Sequence, residues 1–306
     1  MKSIQSQIIN LLIRKNYIFQ GKFKKEVFDF NTSIPDFRER CEKGAAKFGK
    51  LPAGIQIKKE IHNGINMEYL IPGAAQEDKI ILYLHGGGYV SGSCNDHRGF
   101  VAKLAKNTGI TSLLFEYRLA PEHPFPAAID DSLSVYNYLL TTGYNPQNIV
   151  FTGESAGGGL ALALLLAIKN KGIQYPKAAV AISPWTDLTC SGESYKTKNR
   201  VSPAPLNSWS VFSSYYSGNE NATNPLISPL FGDLSGLPQI FINSGMDDEL
   251  YDDGEKFYIK AKGAGVDVTF RAGEGMLHCY PLMAPMFPEA TEAMNEIVTF
   301  IKDNLK

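Results

Sequence analysis

Residues 151–162 read FTGESAGGGLAL, in which Ser155 stands between two glycines in a Gly-x-Ser-x-Gly pattern. The residues before it, NIVFT at 148–152, predict a buried strand, and the Ala/Leu-rich residues after it predict a buried helix. Two interpretations fit this pattern. Ser155 is either a nucleophile on a strained turn between strand and helix, or a small residue at an ordinary junction.

The two flanking glycines favour the nucleophile. A turn that exposes a serine above a sheet is too tight for neighbouring side chains, which explains glycine at both Gly153 and Gly157. An unstrained junction would need neither glycine. The Ser155 hydroxyl would then lie at the start of a helix, where free amides and the helix dipole stabilise negative charge.

Short apolar segments alternate with longer helical segments along most of the chain. The pattern predicts a hairpin at 55–71 and strands at 79–84, 110–117, 148–152, 177–183, 237–245 and 266–272. Helices between such strands imply an α/β fold with a mostly parallel sheet covered on both faces. Residues 1–50 and 190–225 do not follow this alternation, and we expect them to pack as a lid over the strand ends.

The composition is that of an ordinary globular protein of 306 residues, 44% of them hydrophobic. The formal net charge of -1 gives no general attraction to nucleic acid or anionic membranes and favours small or neutral substrates. The four cysteines are widely spaced and read as reduced thiols. The first 17 residues predict an amphipathic helix without a cleavage site. The most apolar run, 160–168, is too short to cross a bilayer. We therefore expect a cytoplasmic protein without stable membrane insertion.

A serine nucleophile needs a base, and histidine is the usual one. When the chain order is serine, acid, histidine, the base must follow Ser155. Four of the five histidines precede it, namely His62, His85, His97 and His123. Only His278, in GEGMLHCY between the last strand and the last helix, satisfies the order.

The acid is expected on the loop after strand 237–245. That loop offers five carboxylates: Asp247, Asp248, Glu249, Asp252 and Asp253. We choose Asp248. Asp247 remains the alternative, because the sequence does not place either carboxylate against the His278 ring. The acid would fix the tautomer of the imidazole and stabilise its protonated form.

The remaining requirement is a group of backbone amides that stabilises an oxyanion. LYLHGGGYV at 82–90 places Gly86, Gly87 and Gly88 directly after a strand, and the Ala156 amide adds another donor. A phosphate-binding loop is the rival interpretation. The segment contains neither a G-x-G-x-x-G nor a G-K-[ST] pattern, which disfavours it.

Seven segments, in this order along the chain, match the motifs of a known protein family: HGGGYVSGS, EYRLAPEHPFPAAIDD, GESAGG, ISPWTDLT, NPLISPLFGDLSGLPQIFINSG, DDELYDDG and MLHCY. Over about residues 55–305 the chain resembles the hormone-sensitive-lipase family of α/β-hydrolases. The resemblance implies an α/β-hydrolase catalytic domain at 51–306 and a helical cap built from residues 1–50 and an insertion at about 190–225.

The resemblance also implies roles for individual residues. Ser155 would be the nucleophile, His278 the base and Asp248 the acid. Gly87, Gly88 and Ala156 would donate to the oxyanion, Gly86 would shape the turn, and Glu154 would organise neighbouring loops. Two departures stand out: the acid motif D-E-L-Y-D-D-G lacks the proline of the family's D-P-L-x-D-E-G, and His278-Cys279-Tyr280 replaces H-G-F.

The function that follows is a serine carboxylesterase acting on short acyl esters, acetyl to about hexanoyl, without a metal or organic cofactor. Its expected partner is a small ester, not nucleic acid, and the last strand and helix would permit a homodimer. Aromatic and hydroxyl residues at 208–219 suggest a partly polar pocket. The alternatives are an amidase or lipase of the same fold, and a non-catalytic receptor like the plant gibberellin receptors, which resemble this family but lack the histidine.

Overall fold

A computed structural model describes residues 2–15, 24–46 and 50–306. Within these residues one eight-stranded sheet has the strand order β1-β2-β4-β3-β5-β6-β7-β8. The pairs β1–β2 and β2–β4 are antiparallel, and every other pair is parallel. The predicted α/β fold with a mostly parallel sheet is confirmed.

The strands are β1 (Ile55–His62), β2 (Ile65–Pro72), β3 (Ile80–Leu84), β4 (Thr111–Phe115), β5 (Ile149–Glu154), β6 (Ala178–Ile182), β7 (Gln239–Gly245) and β8 (Val268–Gly273). The α-helices of the described residues are α1 (Ile4–Arg14), α2 (Ile34–Ala46), α3 (Cys94–Thr108), α4 (Ala127–Thr141), α5 (Ala156–Lys171), α6 (Ser194–Thr197), α7 (Ser208–Ser217), α8 (Tyr251–Gly263) and α9 (Pro288–Asn304). Each predicted strand lies within two residues of an observed one.

The central strands are buried on both faces, as their uninterrupted apolar sequences predict. In β3, Leu82 and Leu84 pack into a core that includes α4, α5 and α8, while Ile81 and Tyr83 pack into a second core with α3 and α9. All residues of β3, β4, β5 and β6 are buried. The sheet therefore holds the carboxyl ends of its middle strands rigidly, and the candidate site lies at those ends.

The predicted N-terminal helix is present as α1, but four of its apolar residues do not face the protein, whereas Ile9 packs against the cluster of Met276, Tyr280 and Phe287. Ile4, Ile8, Leu11 and Leu12 are all exposed, whereas the buried positions are Ser6 and Asn10. The polar face binds because it meets hydrogen-bonding groups: the Ser3 hydroxyl donates to Glu289 at 2.7 Å and the Asn10 amide donates to the Gly275 carbonyl at 3.0 Å. The helix is thus attached to α9 and to the loop after β8.

The two segments outside the alternating pattern contact each other. The Phe28 amide donates to the Leu206 carbonyl at 2.9 Å, and the Leu206 amide donates to the Glu26 carbonyl at 2.8 Å. The Phe28 ring also packs edge-on against Phe212 of α7, with centroids 4.8 Å apart. Backbone bonds and buried rings therefore join residues 24–46 to residues 190–225.

All four cysteines are free thiols. Among the described residues, no helix combines the length and the apolar content that crossing a membrane requires.

Candidate active site

Ser155 occupies a strained turn between β5 and α5. Its backbone has φ 56° and ψ −123°, a conformation that costs free energy for any residue with a side chain. The turn is held by hydrogen bonds, with the Ser155 amide donating to the Ile182 carbonyl at 2.8 Å and its carbonyl accepting from the Gly159 and Trp185 amides. The hydrogen bonds therefore hold the Ser155 hydroxyl at the carboxyl edge of the sheet in a conformation that lowers the stability of the fold.

Both glycines of the motif are required by close backbone contacts. A Cβ at Gly153 would lie 2.3 Å from the Gly157 carbonyl oxygen, and one at Gly157 would lie 2.1 Å from the Leu84 carbonyl oxygen. Atoms cannot approach so closely without a shift of the backbone. The spacing of these two glycines therefore has the steric cause that the sequence suggested.

His278 is paired with Asp248. Its Nδ1 donates to Asp248 Oδ2 at 2.8 Å, and the acid is fully buried. The Leu250 amide donates to the other carboxylate oxygen at 3.0 Å, which fixes the rotamer of Asp248. Burial alone would lower the pKa of His278, but the charge and hydrogen bond of Asp248 outweigh it and raise that pKa well above its usual value.

Asp247, the alternative acid, has different partners. Its carboxylate binds Arg14 of α1 at 2.5 Å and Lys198 at 3.5 Å. Those ion pairs join the loop after β7 to α1 and to the 190–225 segment. Of the two neighbouring aspartates, Asp248 is thus the one placed against the imidazole.

The other carboxylates of this loop serve the local backbone. Asp253 accepts hydrogen bonds from the Thr186 and Asp187 amides, at 2.9 and 2.8 Å. Asp252 accepts one from the Ser194 amide at 3.1 Å. Glu249 is buried and is a special case: its Oε2 has no hydrogen-bond partner among the described residues.

The glycine loop after β3 lies against Ser155. A Cβ at Gly86 would be 3.2 Å from the Ser155 Cβ, so the loop and the serine turn are in contact. Gly87 has φ +113° and its missing Cβ would lie 2.2 Å from the Ser91 carbonyl oxygen, which restricts the position to glycine. Phe212 of α7 covers Gly88 from the other side, since its Cδ2 would lie 2.4 Å from an added Cβ.

The amides of this region divide into two groups. The Gly86 amide donates to Glu154 Oε1 at 2.6 Å, so it is already occupied. The amides of Gly87, Gly88 and Ala156 donate to no group within residues 2–15, 24–46 and 50–306. Free backbone donors beside a serine are the arrangement that stabilisation of a negatively charged oxygen requires.

Ser155 Oγ and His278 both lie in the described part of the chain, and no hydrogen bond joins them. The His278 ring instead meets Trp209 of α7 edge-on, with centroids 5.6 Å apart. Hydrogen bonds between nucleophile and base commonly tighten only when substrate is bound.

Sequence reasoning missed two residues behind the glycine loop. The sequence offers His97 only as a possible base and gives Asp96 no role. The structure places the His97 ring between Asp96 and Glu154, 2.5 and 2.8 Å from their carboxylate oxygens. A signal existed in Ser93-x-x-Asp96, a helix-capping pattern that places Asp96 and His97 in the first turn of α3, directly after the glycine loop.

Comparison with known proteins identifies relatives of this chain. A family model described as alpha/beta hydrolase fold matches residues 81–282. An acetyl-hydrolase from Streptomyces hygroscopicus is 37% identical over 75% of this chain and 77% of its own length. An esterase from Acinetobacter venetianus is 36% identical over 80% of this chain and 82% of its own length.

Solved structures match over the whole chain. An esterase from the bacterial hormone-sensitive lipase family is 34% identical, with a TM-score of 0.90 and coverage of 100% of both chains. The structure of EstE5 soaked with p-nitrophenyl butyrate is 35% identical, with a TM-score of 0.90 and coverage of 99% of both chains.

Proposed function

The chain belongs to the bacterial hormone-sensitive-lipase family of α/β-hydrolases and is a carboxylic ester hydrolase, and from that premise we propose that Ser155, His278 and Asp248 form its catalytic triad. The observation that carries this proposal is the His278–Asp248 pair, 2.8 Å apart, next to a strained serine turn with three free amides. Gly87, Gly88 and Ala156 are proposed as the oxyanion hole, with Gly86 shaping its turn. Residues 1–50 and 190–225 are proposed as the cap of a catalytic domain at 51–306.

The reaction proceeds through an acyl-enzyme. Ser155 Oγ attacks the ester carbonyl carbon while His278 Nε2 takes its proton, and the carbonyl electron pair becomes an oxyanion held by the free amides. The tetrahedral intermediate collapses as the alcohol leaves with the proton from His278. Water, deprotonated by the same imidazole, then attacks the acyl-enzyme and releases the acid. Asp248 holds the Nδ1–H so that Nε2 faces the serine.

The size of the acyl pocket is set by aromatic rings of α7. Phe212 covers Gly88, and Trp209 contacts the His278 ring. The ring centroids of Phe212 and Trp209 are 6.4 Å apart. Both side chains are buried, so neither leaves an open channel beside the proposed oxyanion hole. Short acyl groups fit this arrangement best, in keeping with a range from acetyl to about hexanoyl.

Acyl-chain profiling with 4-nitrophenyl esters of two to twelve carbons tests this proposal. We expect kcat/KM to be greatest between two and six carbons and at least about tenfold lower at twelve, because a long chain must displace a buried ring. In Phe212→Ala the maximum should move to longer chains, whereas Ser214→Ala, an exposed position of the same helix, should leave the profile unchanged. A wild-type maximum at ten or twelve carbons would refute the short-chain specificity.

A buried carboxyl group lies against the Trp209 side chain. Glu249, which stands where the family pattern has proline, is 4% exposed and lies beside the Trp209 indole. Burial raises the pKa of Glu249, although Ser202 and Trp209 partly offset this. Neither Glu249 Oε2 nor Trp209 Nε1 has a hydrogen-bond partner of acceptable geometry among the described residues. An acceptor and a donor without partners are therefore buried at the Trp209 ring, which meets His278 edge-on, and we propose that a hydroxyl group on the substrate pairs with them.

We expect esters with a hydroxyl group near the reacting carbonyl to be preferred. The measurement is the ratio of kcat/KM for 4-nitrophenyl 3-hydroxybutyrate to that for the butyrate, repeated with 2-hydroxyethyl and propyl butyrate to test the alcohol side. Glu249→Leu should lower the ratio about tenfold on whichever side binds the hydroxyl, while Glu249→Gln, which keeps an acceptor, should retain most of it. A ratio that is the same in wild type and Glu249→Leu on both sides would contradict the polar pocket.

A further inference from the structure

A second charged cluster lies behind the proposed nucleophile and is not used in the triad. Glu154, the residue before Ser155, is 3% exposed. Its Oε1 accepts hydrogen bonds from the Gly86 amide at 2.6 Å and from His97 Nε2 at 2.8 Å, and its Oε2 accepts one from the Tyr83 hydroxyl. His97 Nδ1 donates to Asp96 Oδ1 at 2.5 Å. One imidazole thus links two buried carboxylates.

The cluster fixes the first glycine of the loop that carries the free amides. A Cβ at Gly86 would lie 2.8 Å from Glu154 Oε1 and 2.9 Å from the Glu154 carbonyl oxygen, so side chain and backbone of Glu154 both enclose this glycine. The Gly86 amide is occupied by Glu154, whereas the amides of Gly87 and Gly88 donate to no group of the described residues. The orientation of Gly87 and Gly88 therefore depends on the position of one carboxylate.

Both ring nitrogens of His97 face a carboxylate oxygen, and an imidazole can donate from both nitrogens only when it is protonated. Burial would lower its pKa, but Glu154 and Asp96 outweigh burial and raise it to about 10. Three other titratable groups lie around His97: His85, Cys41 of α2 beside Asp96, and Cys279 beside Glu154. The centroid of the His85 ring is 5.1 Å from that of His97. Burial and the charge of His97 lower the pKa of His85 to about 4. At neutral pH the cluster is therefore one imidazolium between two carboxylates.

We propose that Asp96, His97 and Glu154 act together as positioning residues for the oxyanion hole: His97 holds the Glu154 carboxylate, and Glu154 holds Gly86 so that the Gly87 and Gly88 amides face the developing oxyanion. The proposal rests on the function proposed above. Without the imidazolium, the buried Glu154 side chain loses the charge that offsets its burial and is no longer held in place. Its hydrogen bond to Gly86 then weakens, and the glycine loop is freed.

Loss of this positioning should weaken the stabilisation of the transition state and leave substrate binding largely unchanged. For His97→Gln and Glu154→Gln we expect kcat to fall about 10- to 100-fold with KM changed less than about threefold, since a misplaced oxyanion donor costs up to about 10²–10³-fold. Glu154→Asp, which keeps the charge on a shorter side chain, should recover part of the loss. His62→Gln serves as the matched control, because His62 is a histidine at the end of β1, distant from Glu154 in the sheet.

A trifluoromethyl ketone gives a direct measure of oxyanion stabilisation. Ser155 Oγ adds to its carbonyl carbon, the carbonyl electron pair becomes an oxyanion, and His278 keeps the serine proton. The inhibition constant should rise in His97→Gln and Glu154→Gln by the same factor by which kcat falls. In addition, wild-type kcat should decline as pH rises through about 10, where His97 loses its proton, and this decline should be absent in His97→Gln.

Variants that melt at lower temperature but keep kcat and the inhibition constant would overturn the positioning role and leave a structural one. A rise in KM with unchanged kcat would overturn it as well. The proposed function fails in a different way: wild type itself would then not be inhibited by the ketone, and the positioning role would fall with it.

Discussion

Replacing Ser155 with alanine is expected to lower hydrolysis of 4-nitrophenyl butyrate by about 10⁴-fold or more. The alanine methyl group occupies the space of the serine side chain but offers no oxygen to form the acyl-enzyme, so His278 and the free amides have no nucleophile to act on. The backbone strain at φ 56° remains in the variant. Stopped-flow or steady-state release of 4-nitrophenolate measures the loss.

The control is a second buried serine. Ser112 lies in β4, fully buried, and its hydroxyl has no hydrogen-bond partner within the described residues. Ser112→Ala should keep kcat/KM within about twofold of wild type, and both variants should unfold cooperatively near the wild-type temperature. Turnover by Ser155→Ala at more than a few per cent of the wild-type rate would rule out Ser155 as the nucleophile.

The arrangement of the sheet was predictable because its central strands, β3 to β6, are buried on both faces. In β3 the successive residues Ile81 and Leu82 enter different hydrophobic cores, so the sequence shows an unbroken apolar run with no alternation. Such a run followed by a helix-length segment indicates a parallel strand and its crossover. The glycines of the serine turn were predictable for a related reason, since close backbone contacts exclude every other residue.

The site was less predictable where two distant segments meet. No sequence spacing relates His97 to Glu154, because their contact arises when α3 and β5 converge at the carboxyl edge of the sheet. Equally, adjacent aspartates point in different directions, so only the coordinates separate Asp248 beside His278 from Asp247 beside Arg14.

Helix α1 shows a further limit of periodicity. Its apolar residues recur at helical spacing, which predicts the helix correctly, yet Ile8 and Leu11 are exposed while Asn10 is buried. The neighbouring surface decides which face binds, and here that surface presents the Glu289 carboxylate and the Gly275 carbonyl. Periodicity indicates the element but not its partner.

The second large effect is expected for Asp248→Asn. An asparagine in place of Asp248 keeps the shape of the side chain but removes the charge that raises the pKa of His278 and allows the wrong imidazole tautomer, in which Nε2 carries the proton and cannot accept another. We expect kcat/KM to fall by about 10⁴-fold, measured with 4-nitrophenyl butyrate at neutral pH. The fold should persist, because the asparagine oxygen can still accept the Leu250 amide.

Asp247→Asn is the matched control, since it makes the same chemical change one residue away. Its carboxylate pairs with Arg14 and Lys198, so its loss weakens the attachment of α1 and lowers the melting temperature while kcat/KM stays within about threefold of wild type. If Asp247→Asn lost activity as severely as Asp248→Asn, the two carboxylates would act as a unit. If Asp247→Asn lost more activity than Asp248→Asn, the acid of the triad would be Asp247. Both variants remove one charge from this loop, but only Asp248 reaches His278, so the ratio of their activities corrects the contribution of that contact for the general effect of losing a charge.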